Sequence, residues 1–210
     1  MAQVKKPAVR EAILESAHML FRDQGYNGTT LTQIATEAGI STANLYSYFH
    51  SKFDILYSIY DPWLRARLER LELEVAAIQD PRNRLKRLIS VIWRDIPAEE
   101  NSFANNIIQA VSGTSSDEGY DPSLLKAAER FVARMLTEIL PPDRLELVDV
   151  KSISHVIFMA FDGFAMSAHV NPAASCSDKE IELLCTLILG NAGRSIAVKR
   201  KEGPLRLKLK

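Results

Sequence analysis

Apolar residues recur along this chain at intervals of three and four, and only in the basic tail, where Leu205, Leu207 and Leu209 alternate with basic residues, does a period of two occur. The pattern therefore predicts helices throughout. Val9, Ile13, Ala17, Leu20 and Phe21 share one face of a first helix over about 8–24, which Gly25 ends. Leu31, Ile34, Ala35 and Ala38 mark a second, with Thr30 as its N-cap and Gln33 completing a Thr-x-x-Gln capping box. Gly39 tolerates positive φ at the helix end. Ser41 then caps a third helix, Thr42 to about Phe49, which buries Leu45 and Phe49. Ser51 opens a connecting helix that carries Ile55, Leu56 and Ile59.

An Asp before a Pro reads as a helix start, with the cap followed by a first residue of preset φ. It occurs at Asp61-Pro62, Asp80-Pro81 and Asp121-Pro122, and predicts separate helices over about 62–79, 81–96, 98–112 and 122–140. Gly113 to Tyr120 is polar and turn-rich, the stretch expected to be most mobile, and Pro141-Pro142 marks the next boundary. Two further helices fall near 146–170 and 178–198, the second opened by a capping box from Ser177 to Glu180. Both are apolar on several faces, and Ala160, Gly163, Ala165, Ser167 and Ala168 allow close helix approach. A two-fold four-helix bundle between subunits fits these two helices; a buried core helix of a monomer is the alternative. The expected fold is all-α, with about nine or ten helices.

The third helix has an unusual outer face. Thr42, Ala43, Asn44, Tyr46 and Ser47 are small, polar or aromatic and carry no charge. Hydroxyl and amide groups suit base edges in a major groove, and Ala43 suits close approach or a thymine methyl. With the preceding helix this spells a helix-turn-helix over residues 31–50. An ordinary corner between two helices is the other reading. Lys52 stands in the first turn of the next helix, where a cation opposes the helix dipole. A phosphate seated there resolves the conflict; Asp54, in the same turn, is the simpler compensation.

Three runs of residues together carry a resemblance: Gly25-Tyr26-x-Gly28-Thr29-Thr30, Ile34-Ala35-x-x-Ala38-Gly39-Ile40-Ser41, and Leu45-Tyr46-x-Tyr48-Phe49-x-Ser51-Lys52-x-Asp54-Ile55-Leu56. From about Val9 to Ile59, a quarter of the chain, it resembles the tetracycline-repressor (TetR) family of bacterial transcription regulators. That resemblance implies an all-α homodimer that represses transcription and leaves its operator when a small ligand binds. It places Thr42, Ala43 and Ser47 at bases, and Tyr46, Tyr48, Lys52 and the Thr30 cap at phosphates. It places the dimer interface on the last two long helices. His50 stands where the family often has Lys, and Phe53 where it commonly has Glu. The first departure affects one phosphate contact; the second adds an apolar contact toward the next domain.

Formal net charge is zero, so no global field draws the chain to nucleic acid. Residues 1–56 hold five bases and five acids, residues 57–193 hold 14 and 20, and residues 194–210 hold seven and one. Phosphate contacts must then come largely from hydroxyls, helix N-termini and a few cations. The expected organisation is a helix-turn-helix domain over 1–56, a ligand-binding and dimerisation domain over 57–198, and a basic tail over 199–210. That tail and the Lys5-Lys6 arm can add non-specific affinity, or be plain solvated termini. Cys176 and Cys185 have no metal-ligand spacing and read as reduced thiols, which with the absence of an apolar signal core predicts a cytoplasmic protein. No stretch of 18 uncharged apolar residues occurs, because Asp162 interrupts the best one, so no membrane span is expected.

Catalytic chemistry has little to stand on. His155, Asp162 and His169 lie seven apart on one helix, about 10 Å, too far to share a metal. No phosphate loop, nucleophile elbow or zinc motif occurs, so neither an enzyme, a cofactor nor a bound metal is expected. Asp162, flanked by Phe158, Met159, Phe161 and Phe164, instead suits ligand recognition in a mostly apolar pocket with Trp93, Phe103, Phe131 and Met135. Pairing with an Arg in the core, or facing water beside the subunit seam, are the other uses open to it. The partners expected are a double-stranded DNA operator, a small-molecule effector and a second copy of the chain. A constitutive or architectural DNA binder without an effector is the alternative, and a protein-interaction module the next.

Overall fold

The computed structural model describes residues 6–99, 102–113, 123–171 and 176–190. Most of the loop 113–120, the extension of the last helix over 191–198, the Lys5 end of the arm and the basic tail lie outside them. The described residues are all helical or connecting. In chain order the helices are α1 (Pro7–Gly28), α2 (Leu31–Glu37), α3 (Thr42–Tyr46), α4 (Lys52–Ala76), α5 (Pro81–Ser90), α6 (Phe103–Gly113), α7 (Ser123–Ile139), α8 (Pro142–Leu145), α9 (Val150–Val170) and α10 (Asp178–Leu189). The expected all-α architecture is the one observed.

Side-chain caps fix most of the boundaries. Gln33 N donates to Thr30 Oγ1 at 3.2 Å while Thr30 N donates to Gln33 Oε1 at 2.7 Å, so the predicted box starts α2. Ser41, Ser51 and Asp80 accept from Asn44 N, Asp54 N and Asn83 N at 3.2, 3.0 and 2.8 Å. Each of these bonds satisfies one of the N–H groups that a helix start leaves without a partner. Ser177 N donates to Glu180 Oε2 at 2.8 Å in the box that opens α10. Gly25, at φ 73°, breaks α1 before its last turn, and Gly39, at φ 68°, lets the chain turn from α2 towards α3.

Four boundaries differ from the sequence reading. Asp61-Pro62 starts no helix: α4 runs unbroken from Lys52 to Ala76 with Pro62 inside it. An interior proline removes one donor and crowds the preceding turn, at about 3 kcal/mol. The buried face of α4 continues across it through Ile55, Leu56 and Tyr60 to Leu64, Leu71 and Val75. Burial contributes about 1.5–3 kcal/mol for each aliphatic side chain, so the three beyond the proline outweigh it. Asp61, instead of capping, accepts from Arg65 Nε one turn on, at 2.8–2.9 Å.

Past Ser90, α5 widens into a π-helical turn, Val91–Asp95, in which Ile96 N reaches Val91 O at 2.9 Å. The next helix then begins at Phe103 rather than near 98, because Phe103 packs its ring against Tyr60 and Trp63 at 5.3 and 4.7 Å. The helix expected from about 146 starts at Val150, where Asp149 accepts from Lys151 N at 3.1 Å. Pro142 to Leu145 form a one-turn helix of their own. Finally α3 ends at Tyr46, although Phe49 N still donates to Leu45 O at 3.1 Å, so Phe49 keeps its place.

The core has two connected parts. Ile13, Ala17, Phe21, Ile34, Ala35, Leu45 and Phe49 close the first three helices around the start of α4. The second part lies among α4, α5, α6, α7, α9 and α10. α9 is, among the described residues, the one helix long and apolar enough to cross a membrane. Ile157, Phe161 and Ala165 bury one of its faces in the second core.

Candidate nucleic-acid interface

The third helix is built to stand on two residues. Leu45 is fully buried and Phe49 nearly so, which turns the remaining positions outward. Ala43, Tyr46 and Ser47 are exposed, Tyr46 by half of its surface, while Thr42 and Asn44 are half-buried. Ser47 Oγ donates to Asn44 O at 2.6 Å, and Asn44 Oδ1 lies 3.3 Å away, so these two polar groups hold each other's orientation in the free protein. Arg10, from α1, lies over the Phe49 ring at 5.2 Å and donates to Ser58 Oγ at 3.2 Å. It brings to the edge of the reader a cation that the sequence reading did not single out.

The groups matched to phosphates are more engaged. Tyr48 Oη accepts from Lys6 N at 3.0 Å, which pins the start of α1 beside α3. The Thr30 hydroxyl is used in the capping box, donating to Gln33 Oε1 at 2.8 Å. Lys52 turns inward. Its ammonium donates to Tyr26 O and Thr29 O, both at 2.7 Å, and sits 4.1 Å from the centre of the Tyr26 ring. Burial pulls its pKa below the ordinary lysine value. Two of its three N–H groups are thus spent on carbonyls at the end of α1. The dipole conflict at the head of α4 is met by Asp54, which also accepts from His50 N at 2.9 Å. This is the simpler compensation open from the sequence.

The candidate ligand residues do not converge on one place. Phe103 and Phe158 line an apolar cavity of about 20 Å³ with Leu64, Leu68 and Phe161. Phe131, beneath Arg134, lines an open hollow of about 330 Å³ between α4 and α7 that shares Leu64, Leu68 and Ala128 with that cavity. Trp93 is buried, donates from its indole to Ile157 O at 2.9 Å and packs on Phe164 at 5.0 Å. Met135 is buried in the core and lines none of these spaces. Asp162 is exposed, away from the cavities, with partial desolvation raising its pKa above the usual carboxylate value. Of the uses its flanking aromatics left open, facing water is the one observed. His155 Nδ1 lies 3.3 Å from Glu129 Oε1, and among the described residues no group of His, Cys, Asp and Glu is placed to hold a metal.

Sequence reasoning missed the polar face of α6. Asn106 is fully buried and donates to Phe21 O at 3.1 Å and Tyr60 Oη at 2.9 Å, joining α6 to α1 and α4. Gln109 accepts from Asn27 N at 2.9 Å. The signal was present: Asn105, Asn106 and Gln109 interrupt an otherwise apolar helix.

Comparison with known proteins places this geometry. Residues 13–59 match the sequence profile of the bacterial regulatory proteins, tetR family. The HTH-type transcriptional regulator HbdR of Aromatoleum sp. (strain CIB) is 34% identical over 84 residues, 40% of this chain and 35% of that protein. The HTH-type transcriptional repressor BepR of Brucella suis biovar 1 is 40% identical over 74 residues, 34% of each. The chain thus spans about a third of the length of these curated relatives. The fold is shared further: the transcriptional regulator FadR from Bacillus subtilis, in complex with stearoyl-CoA, superimposes with a TM-score of 0.60 over 85% of this chain and 95% of that one, at 20% identity. Residues 13–59 thus carry the N-terminal domain of the bacterial regulatory proteins, tetR family, and the described residues share the all-helical fold of FadR.

Proposed function

We propose that this protein is a DNA-binding transcription regulator that works as a homodimer, with residues 1–56 as the reading domain and 57–198 as the ligand-sensing and dimerising body. The observation that carries the reading is the outer face of α3, where Ala43, Tyr46 and Ser47 are exposed and uncharged above the buried Leu45 and Phe49. A face this poor in charge is suited to hydrogen bonds and close contact with base edges. Two copies of α3 would enter successive major grooves about 34–36 Å apart on a near-palindromic operator.

Support for the dimer comes from α9 and α10. Val156, Met159, Met166 and Val170 are exposed at helical spacing on α9, with Gly163 in the middle of the stripe, and Leu183 and Leu187 are exposed on α10. A Cβ built at Gly163 meets nothing within 4 Å in the single chain. An apolar stripe centred on a glycine suits close packing of two helix pairs across a two-fold axis.

The effector we infer is small and mostly apolar, received by the cavity around Phe103 and Phe158. At about 20 Å³ that cavity has room for about one water and for no organic ligand. A ligand must therefore part α4 from α7 and α9 to enter, which gives it the differential affinity for two conformations that regulation requires. FadR from Bacillus subtilis was solved in complex with stearoyl-CoA, whose acyl tail is apolar like the lining of this cavity. Site selection from random duplexes with the purified dimer tests the reading. A near-palindromic consensus is expected, and recovery of no preferred sequence would overturn it.

A further inference from the structure

We propose that a second site, separate from the apolar cavity, binds a small organic carboxylate with a hydrocarbon body in the cleft between the end of α1 and α6, α9 and the π-helical turn. The cleft encloses about 620 Å³, within the range of small-molecule sites. It shares no lining residue with the apolar cavity. Residues from α1 form one wall (Arg22 to Gly25), and Trp93 and Arg94 another.

Two backbone irregularities deliver the walls. Trp93 and Arg94 come from the π-helical turn Val91–Asp95, a geometry rare in helices and frequent at functional sites. Ser102, also on the cleft, holds φ at 57°, the one non-glycine residue among those described with positive φ. Such conformations cluster at ligand clamps. Trp93 is rigid, because its indole N–H is anchored on Ile157 O at 2.9 Å.

The lining decides the chemistry. The two carboxylates in the cleft already have cations: Asp23 accepts from Arg22 Nε at 2.9 Å, and Glu99 lies 3.5 Å from Arg67 Nε. Donors remain. The terminal nitrogens of Arg22 have no partner among the described residues, and Arg94 spends Nη1 on Asp178 at 3.0 Å and turns Nε to Asp95 at 3.6 Å. Gln109 uses its carbonyl oxygen on Asn27 N, leaving its amide N–H groups. A surplus of N–H groups, two of the side chains cationic, selects an acceptor-rich anion. Pro97, Ala98, Ala165 and Ala168 with Trp93 supply the carbon surface for its body. An occupant would touch both α1 and α9, so it would bias how the reading domain sits on the body.

The test uses the full chain with Trp63→Phe, which leaves Trp93 as the sole tryptophan. Tryptophan emission is followed while cyclohexanecarboxylate, or the neutral cyclohexylmethanol, is added. No DNA is present, so the outcome is independent of operator binding. A saturable change is expected for the carboxylate, weakened about tenfold by Arg22→Gln and abolished by Ala168→Phe, with circular dichroism showing both variants folded. The alcohol should bind more weakly and ignore Arg22→Gln. Absence of saturation with the carboxylate, equal binding of the two probes, or unchanged binding in Ala168→Phe would each overturn the site.

Discussion

Replacing Lys52 by alanine separates two roles that one lysine can play at this position. A surface lysine that meets a DNA phosphate contributes to affinity on every sequence and to its salt dependence, about 0.9 in the log–log slope for each phosphate neutralised. A lysine turned inward contributes to folding. In this structure the ammonium spends two bonds of 2.7 Å on Tyr26 O and Thr29 O and lies over the Tyr26 ring. Hydrogen bonds from a charged donor contribute about 1.5–3 kcal/mol each, and a half-exposed cation–π contact about 0.5–1 kcal/mol. Taking the low end for a half-buried group, Lys52→Ala should cost about 2–4 kcal/mol. Urea denaturation would show this as a lower midpoint with an unchanged m-value. Operator affinity should fall too, since Thr29 and the Thr30 cap lose their tether, but the salt slope should stay within about 0.3 of the parent. A variant that keeps its stability within about 0.5 kcal/mol while its slope drops by about 0.9 would refute this reasoning and restore Lys52 as a phosphate anchor.

Thr42→Ala and Ser47→Ala should change which operator sequence is preferred, whereas Tyr46→Ala should weaken all sequences alike; site-selection profiles that shift equally for all three would refute that division. Gly163→Phe meets no atom of its own chain, and replacing a mid-helix glycine favours the helix by up to about 1 kcal/mol, so it should yield a folded monomer in sedimentation experiments, and a persisting dimer would move the interface elsewhere. Burial raises the pKa of Tyr60 to about 12, against the hydrogen bond from Asn106, and those of Cys176 and Cys185 to about 11. The unfolded chain therefore gives up these protons first. Stability should be intact below about pH 9 and fall from there to about pH 12, with about 3 kcal/mol of the loss due to Tyr60, a part that Tyr60→Phe removes from a pH–urea series.

What the sequence disclosed was local. Thr30 with Gln33, Ser41, Ser51, Asp80 and Ser177 with Glu180 are caps whose partners lie two or three residues away, so a linear reading finds them. The burial of Leu45 and Phe49 followed from helical spacing in the same way. The misreadings share a different origin. Asp61-Pro62 has the local form of a helix start, but the apolar face of α4 runs through it, and packing overrode the local signal. The resemblance puts Lys52 at a phosphate, and a local reading has no view of its two carbonyl partners, which lie 26 and 23 residues back, beyond the break at Gly25. The aromatic neighbours of Asp162 leave a pocket, an Arg partner or water open to it, and only the packing of α9 separates these: Phe158 and Phe161 line the apolar cavity while Asp162 is exposed. The π-helical turn and the positive φ of Ser102 leave no mark in hydrophobic periodicity, because neither changes which residues are apolar.

The continuity of α4 changes how the reading helix is controlled. Had Asp61-Pro62 separated two helices, the first three helices could turn against the rest about a loose joint. Instead one 25-residue helix carries Ile55 and Leu56 in the first core and Leu71 and Val75 in the second, so the two move together along its axis. Rotation about α4 is still compatible with that continuity, and α6 opposes it. Asn106 holds Phe21 O of α1 and Tyr60 of α4 at once, and Gln109 holds Asn27 N just beyond Gly25, where α1 is already broken. Asn106 Oδ1 is buried with no hydrogen-bond partner, a state that costs about 1–3 kcal/mol relative to a satisfied amide. The link is therefore both specific and incompletely satisfied, and a small displacement of α6 is opposed by less than the full strength of its contacts. Both cavities border this helix, one through Phe103 and the other through Asn105 and Gln109. On the proposed function, an occupant of either cavity is expected to act on the orientation of α3 through α6, with α4 as the axis about which the reading domain would turn.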